Sequence, residues 1–529
     1  MQLMEIFMQT LYDVLHDTAT RYPKRCAVVF YGKRLSYRQL LHHVDVFASN
    51  LVKMGIKAGD VVTICLPNSP SATVAFYAVN KVGAVCNLLH PYVPLNQMLD
   101  NVNETKTKLL IIYDVYTLKN GDVKCDVPVL MSSTSYFMGF VAGIYFRATN
   151  KNIHYEKYNK LEKFFCGDYD DFEPYKFGDR EQAVFLPSGG TTGDSKIIKH
   201  FCNSFNVLCQ SAQDFLQDDV SQYTSMYSVL PIFHGFGLCM NMHMCVTNAV
   251  KNVMCIKFNA KHMARAISRE KVNILTGVPT MYTRVLKERL FRRGNLSSLK
   301  ECFVGGDSAP KTLIDDFNAV LQRQGSKARL LEGYGLAETI AACALNTVHN
   351  HKDGSLGRAI CGCTIEIVEK GNILPSGSLG EIAVSGPLLM LGYFDNSSSP
   401  FIEIDGKTYL LTGDYGWKDE DGFVYFKQRI KNVVNVNGVL VFPSEIESVV
   451  NEIEGVSSCV AIGIPDANRG ESVKLFVQVS SGYNGNSVLE DVKTALKQKV
   501  IVYAMPKEVV LVDSLPTNLI GKVDRRKLQ

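Results

Sequence analysis

LPSGGTTGDSK, Leu186–Lys196, is the stretch on which the fold and the chemistry turn. Ser188, Gly189, Gly190, Thr191, Thr192 and Gly193 follow one another without a bulky side chain, and Lys196 closes the run. Glycine permits positive φ and close backbone approach, so successive N–H groups can point at one anion. Ser188, Thr191 and Thr192 add hydroxyl donors, and Lys196 adds a compact positive charge. The preceding AVFLP, Ala183–Pro187, reads as the end of a buried strand. A strand running into such a loop makes a phosphate cradle, although the same composition also suits a surface turn. A Walker A loop is excluded, because its lysine directly follows the last glycine, whereas Lys196 stands three residues after Gly193.

With 529 residues the chain exceeds the size at which one core stops growing, so two or more domains are expected. Its net charge of +4 argues against nucleic acid as a partner. The 15 cysteines lack paired metal-ligand spacing, Cys361 and Cys363 being the nearest pair, and read as reduced thiols of a cytoplasmic protein. The N-terminal segment has the spacing of an amphipathic helix and no secretory signal. Tyr136–Phe146, YFMGFVAGIYF, is too short to span a bilayer, so no integral membrane segment is expected. It reads as a buried strand or helix, with peripheral membrane contact as the other reading.

Helical patterns alternate with β-rich runs such as VVTICLP (Val61–Pro67), KLLIIYD (Lys108–Asp114) and NILTGVP (Asn273–Pro279). The alternation predicts layered α/β structure with partly parallel sheets. From about Ile373 short strands with tight Gly/Asp turns predict a β-rich subdomain. Beyond Arg429–Asn432 a compact α+β pattern begins, with helices over Pro443–Ile453 and Val488–Lys499. The expected organisation is a large domain over 1–428, a hinge at 429–432 and a small mobile domain over 433–529.

Four further strings carry chemistry. LLEGYGLAET, ending at Thr339, resembles a dinucleotide fingerprint, but Glu338 stands where the third glycine belongs. Beside a nucleotide loop Glu338 would be a Mg²⁺ ligand, or simply a capping residue of a strand–turn–helix junction. VGGDSAP, Val304–Pro310, resembles a phosphopantetheine attachment loop, yet its flanks lack the helices of a carrier domain. TGD places Asp414 where it could accept from vicinal hydroxyls, and Arg429 follows with a planar donor fork. LPTNLIGKVDRRKL, Leu515–Leu528, would ordinarily be a solvated basic tail.

In this order the strings resemble the adenylate-forming superfamily, which includes AMP-forming acyl-CoA synthetases, nonribosomal adenylation enzymes and firefly luciferase. The resemblance implies a large multi-subdomain α/β domain with a distorted β-barrel-like part, followed by the small domain. It implies that Ser188, Gly189, Gly190, Thr191, Thr192, Gly193 and Lys196 hold the β- and γ-phosphates of ATP. Asp307, Ser308, Ala309 and Tyr334 would line the adenine site, and Thr339 would contact the α-phosphate. Glu338 would hold Mg²⁺, Asp414 and Arg429 would bind ribose, and Lys522 would bridge carboxylate and ribose. His234, in LPIFHGFGL, would sit near the carboxylate and thiol route, and Gly438 near the pantetheine arm of coenzyme A.

The implied reaction is ATP-dependent activation of a carboxylic acid, then thioester formation with coenzyme A. Loading of a carrier protein is an alternative, as is nucleotide binding without catalysis. Ser195, Gln428, Asn432 and Thr517 depart from the pattern, where proline, glycine, aspartate and a basic residue are usual. Met240, Met242, Met244 and Cys245 read either as an acyl wall or as core.

Overall fold

The three β-rich runs are strands, at Val61–Cys65, Leu109–Tyr113 and Ile274–Gly277. The computed structural model describes residues 9–150, 157–188, 196–395, 399–466, 469–516 and 523–528. These fall into two compact units, one running to residue 364 and including 385–400, the other taking 365–384 and 401 onward.

The first unit holds two largely parallel sheets. Val61–Cys65 and Leu109–Tyr113 pair in an eight-stranded sheet, with antiparallel strands added at one edge. Ile274–Gly277 pairs with Ser225–Ser228 and Glu301–Val304 in a nine-stranded sheet. In that sheet the early strand Cys26–Phe30 lies parallel to Lys251–Met254, with Val28 opposite Asn252. Apolar runs without alternation suit strands covered on both faces.

The cover on one side includes the helix Pro70–Val82, whose every residue is buried. Ser69 caps its N-terminus, Pro70 fills the first turn, and Gly83 at φ +84° ends it. Lys81 is 2% exposed within this helix. Its ammonium lies 2.9 Å from Asp45 and 4.9 Å from the ring centroids of Tyr12 and Phe172, so the buried charge is neutralised where it sits. A second layer, Ala260–Glu270, Pro279–Leu286 and Lys311–Arg323, builds a separate core around Met263, Ile267, Tyr282 and Phe317.

The second unit contains a six-stranded antiparallel sheet and a five-stranded sheet. The six-stranded sheet is the expected β-rich part, built on Gly380–Ser385, Lys407–Lys418 and Val424–Arg429. In the five-stranded sheet, Val456–Asp466 and Gly470–Val479 pack with helices Pro443–Asn451 and Gly485–Lys499 around Val436, Ile446, Leu475 and Leu496.

Tyr136–Phe146 departs from the expected buried element. It becomes part of the helix Phe140–Thr149, and Phe140, Val141, Ile144 and Tyr145 face outward. At the N-cap the packing is tight: a Cβ on Gly139 would stand 2.8 Å from the Tyr31 carbonyl oxygen, so only glycine fits where the chain enters the helix. Among the described residues no helix is long and apolar enough to cross a membrane. All fifteen cysteines are free thiols, and Cys209 and Cys239 share a hydrogen bond at 3.4 Å rather than a disulfide.

Glu301 supplies a measurable pH signature. Its Oε1 accepts from the Tyr223 hydroxyl at 2.7 Å and the Gln217 N–H at 2.8 Å, while the buried Oε2 has no partner. Burial raises its carboxyl group from 4.5 to about 7. Between those values the folded state keeps a proton that the unfolded chain has lost, so its stabilising contribution falls as pH rises, by about 1.4 kcal/mol per pH unit. Glu301→Gln cannot ionise and should remove this slope. Urea midpoints of both proteins from pH 4.5 to 8 should therefore diverge in shape; parallel profiles would exclude Glu301 as the source.

Candidate active site

The ends of the glycine-rich loop are clasped to each other. Strand Gln182–Pro187 runs antiparallel to Ile197–Phe201, with Pro187 opposite Ile197. The Ser188 N–H donates to the Lys196 carbonyl at 2.8 Å, and the Lys196 N–H donates to Ser188 Oγ at 3.0 Å. Gly189, Gly190, Thr191, Thr192, Gly193 and Ser195 lie outside the described residues. Lys196 sends its ammonium to 4.3 Å from the centroid of the Tyr393 ring.

Tyr393 reaches the second motif. Its hydroxyl donates to Glu338 Oε1 at 3.0 Å, and burial followed by the Glu338 charge raises the phenol above its usual range. Glu338 sits in the 3₁₀ turn Ala337–Thr339 after strand Leu330–Gly335, and its carboxylate caps nothing. The Met390 N–H donates to the Glu338 carbonyl at 2.8 Å. His200, fully buried, uses Nε2 to donate to the Ala337 carbonyl at 2.8 Å, and burial lowers its imidazole to about 4, so it stays neutral. Thr339 is buried too: its Oγ1 accepts from the Leu336 N–H at 3.0 Å and lies within reach of the Leu336 and Ala341 carbonyls. In this conformation the hydroxyl serves the turn.

Ile340, next in the chain, has φ +65°, a strained value for a β-branched residue. Gly235 explains how it persists, since a Cβ there would stand 1.6 Å from the Ile340 carbonyl oxygen. His234 precedes this glycine, half-buried, with its ring 4.9 Å from that of Phe233. It leads into a π-helical segment, Phe236–His243, a geometry often found at functional sites. Met240, Met242, Met244 and Cys245 belong to the apolar core.

Asp307, Ser308 and Ala309 follow strand Glu301–Val304, which lies parallel to Leu330–Gly335 with Val304 opposite Glu332. The loop therefore leaves one strand beside the strand that carries Tyr334, at the carboxyl ends where α/β sheets bind ligands. Asp307 and Ser308 are exposed, and Tyr334 is buried. Burial lifts the Glu332 carboxyl to about 7.

In the second unit Asp414 is 1% exposed and stands opposite Arg429 across two strands, its Oδ1 2.9 Å from Arg429 Nε. The strand then passes into the short 3₁₀ turn Ile430–Asn432. Gln428 departs from the familiar glycine and accepts the Ser444 N–H at 2.9 Å, while Ser444 Oγ donates to the Lys427 carbonyl at 2.8 Å. Gly438 pairs with Asn437 in a two-residue hairpin turn, at φ +82° and +54°. Lys522 lies outside the described residues, but the Asp524 N–H donates to the Pro516 carbonyl at 2.8 Å and clasps the flanks of its segment. The tail is no free basic run: Arg525 donates to the Ala461 carbonyl at 2.5 Å and pairs with Glu447 at 2.9 Å.

Residues 15–394 match the sequence profile of the AMP-binding enzyme family, and 445–522 match the AMP-binding enzyme C-terminal domain. A long-chain-fatty-acid–CoA ligase of Bacillus subtilis (strain 168) is 27% identical, over 98% of this chain and 94% of that protein. ATP-bound MatB from Rhodopseudomonas palustris is 25% identical, with a TM-score of 0.83 over 98% of both chains. O-succinylbenzoate coenzyme A synthetase (MenE) from Bacillus subtilis, in complex with ATP and magnesium ion, is 21% identical, with a TM-score of 0.81 over 98% of this chain and 99% of that one.

The contact between Gly235 and Ile340 is open to test. Gly235→Ala should displace Ile340 and loosen the Ala337–Thr339 turn while leaving the sheets intact. Amide exchange should accelerate at residues 337–341 with circular dichroism unchanged; unaltered exchange there would show that the turn holds without the glycine.

Proposed function

The chain belongs to the AMP-binding enzyme family, and from that premise we propose how its residues activate a carboxylic acid. The reaction is ATP-dependent formation of an acyl-adenylate with release of pyrophosphate, followed by transfer of the acyl group to coenzyme A. The observation that carries the assignment of roles is the meeting at Tyr393 of Lys196, the cation that closes the phosphate loop, and Glu338. Fold alone would not bring an anion-binding loop and a metal-binding carboxylate to one side chain.

A carboxylate is a poor acyl donor because oxide is a bad leaving group; joined to the α-phosphate as pyrophosphate leaves, it becomes a mixed anhydride whose leaving group is AMP. No general base is needed, since the acid is already ionised at neutral pH. The barrier is repulsion between the acid and the triphosphate. Ser188, the Gly189–Gly193 segment and Lys196 meet the β- and γ-phosphates with N–H, hydroxyl and ammonium donors. Lys522 bridges the incoming carboxylate and the ribose. Asp307, Ser308, Ala309 and Tyr334 line the adenine. Asp414 receives the ribose hydroxyls, with Arg429 beside it. Thr339 meets the α-phosphate once its hydroxyl leaves the turn.

Glu338 is suited to Mg²⁺ that arrives with the nucleotide. Among the described residues no three His, Cys, Asp or Glu side chains gather into a metal cage, and one carboxylate suffices when phosphate oxygens supply other ligands. The bound ion supplies positive charge against the triphosphate.

For the second step the hinge at 429–432 turns residues 433–529, withdrawing Lys522 and bringing the Gly438 turn to the thiol arm, while His234 gates the route of acid and thiol. An aliphatic or aromatic acid is favoured over an amino acid, because none of the motif residues offers a counter-ion to an α-ammonium group. The long-chain fatty acyl relative supports the aliphatic choice. Fifteen free thiols suit a reducing cytoplasm.

Acid-dependent ATP–pyrophosphate exchange across a panel of acids, with and without coenzyme A, tests the assignment. Lys522→Ala should abolish exchange yet still turn a supplied acyl-adenylate into thioester. Gly438→Leu should exchange normally and stall at the thioester, and Gly438→Ala, equally strained at positive φ but without the bulk, should stall far less. Equal loss of both half-reactions in folded Lys522 and Gly438 variants would sink the division of labour. Exchange without any use of coenzyme A would favour carrier loading.

Magnesium dependence separates Glu338 from its support. Glu338→Gln should shift the Mg²⁺ needed for half-maximal exchange upward by at least about tenfold, as expected from losing a charged ligand. Tyr393→Phe should shift it in the same direction by less. Identical Mg²⁺ curves would remove both from the metal site.

A further inference from the structure

The helix Phe140–Thr149 is inside out for a protein that keeps all its apolar surface to itself. Phe140, Val141, Ile144 and Tyr145 recur at helical spacing on one face and are 81%, 80%, 47% and 71% exposed. Gly139 and Gly143 lie on the opposite side: a Cβ on Gly139 would stand 2.8 Å from the Tyr31 carbonyl oxygen, and one on Gly143 would rest in ordinary contact, 3.6 Å from the Ser135 carbonyl oxygen. Tyr136, exposed just before the helix, extends the apolar surface.

Its charges are mostly basic, although Lys157 is paired with Asp122. The helix carries Arg147 and no acid, and Lys33 holds its ammonium 5.3 and 5.1 Å from the Tyr136 and Phe137 ring centroids. Between Ser133 and Lys163 five Lys and Arg residues face two glutamates, and one of these, Glu162, is buried against Ser71, Ser132 and Ser133. Apolar side chains with tyrosine among them and cations at the margin match the boundary between lipid headgroups and acyl chains, with anionic lipid as the complement. We propose that this face docks the protein on an anionic membrane surface, the helix lying in the plane of the interface.

The test is sedimentation of the full chain with vesicles of phosphatidylcholine containing a quarter phosphatidylglycerol, against vesicles of phosphatidylcholine alone. Binding should favour the anionic vesicles and weaken as salt rises. A variant carrying Phe140→Gln, Val141→Gln, Ile144→Gln and Tyr145→Gln should lose at least about tenfold in partition, since its apolar contact is gone. Its urea midpoint should be unchanged, because these side chains touch solvent. Lys33→Ala with Arg147→Ala should erase the preference for anionic vesicles while leaving weak binding to both. Equal sedimentation of wild type and the glutamine variant, or none at low salt, overturns the proposal. So does a dimer that the glutamine variant breaks into monomers without any vesicle binding, which would make a second copy the occupant.

Discussion

One short strand, Ile197–Phe201, is the constraint on which the candidate site depends. On one side it pairs with Gln182–Pro187 and fixes where the glycine-rich loop begins and ends. On the other it accepts Gly392–Tyr393, with the Leu391 N–H donating to the Lys199 carbonyl and the Phe394 N–H to the Ile197 carbonyl, each at 2.8 Å. From its own face His200 holds the turn that carries Glu338. Three distant segments are thus brought into one geometry, two by backbone hydrogen bonds and the third by the His200 side chain. A reaction between two anions needs its positive groups already in place, and a strand paired on both sides supplies that order before any ligand arrives.

The polar groups assigned to ligands are engaged rather than left bare. Asp414 pairs with Arg429, Thr339 serves its turn, and Glu338 receives Tyr393. Each satisfies a partly or fully buried group that would otherwise bear a desolvation cost. The exchange of these partners for ribose, phosphate or metal then replaces one hydrogen bond with another, and binding does not have to overcome an unpaired buried charge.

Much of this was legible in the sequence, for identifiable reasons. Apolar runs, two of the three closed by proline, marked the parallel strands, because a strand covered on both faces has no alternation to blur the signal. Five ordered motifs marked the candidate site. Tyr393 and His200 were not legible, since nothing local distinguishes a tyrosine in GYFD or a histidine in IIKHF from ordinary strand residues; only the pairing of Ile198 with Tyr393 reveals them. YFMGFVAGIYF misled for a different reason. Periodicity shows which residues share a face, but not whether the small or the large face meets the body, and here Tyr31 leaves room only for glycine.

The parallel pairing of Cys26–Phe30 with Lys251–Met254 also sets a timetable for synthesis. The first strand leaves the ribosome with only its hairpin neighbour, Lys33–Ser36, to pair with. Its other edge stays open until Asn252 has been made more than two hundred residues later, on the order of ten to forty-five seconds at ordinary translation rates. During that interval Val28, Val29 and Phe30 form an apolar strand edge exposed to any nascent chain nearby. The nine-stranded sheet is therefore most vulnerable to aggregation at its earliest part, and slow translation through residues 37–250 lengthens the exposure.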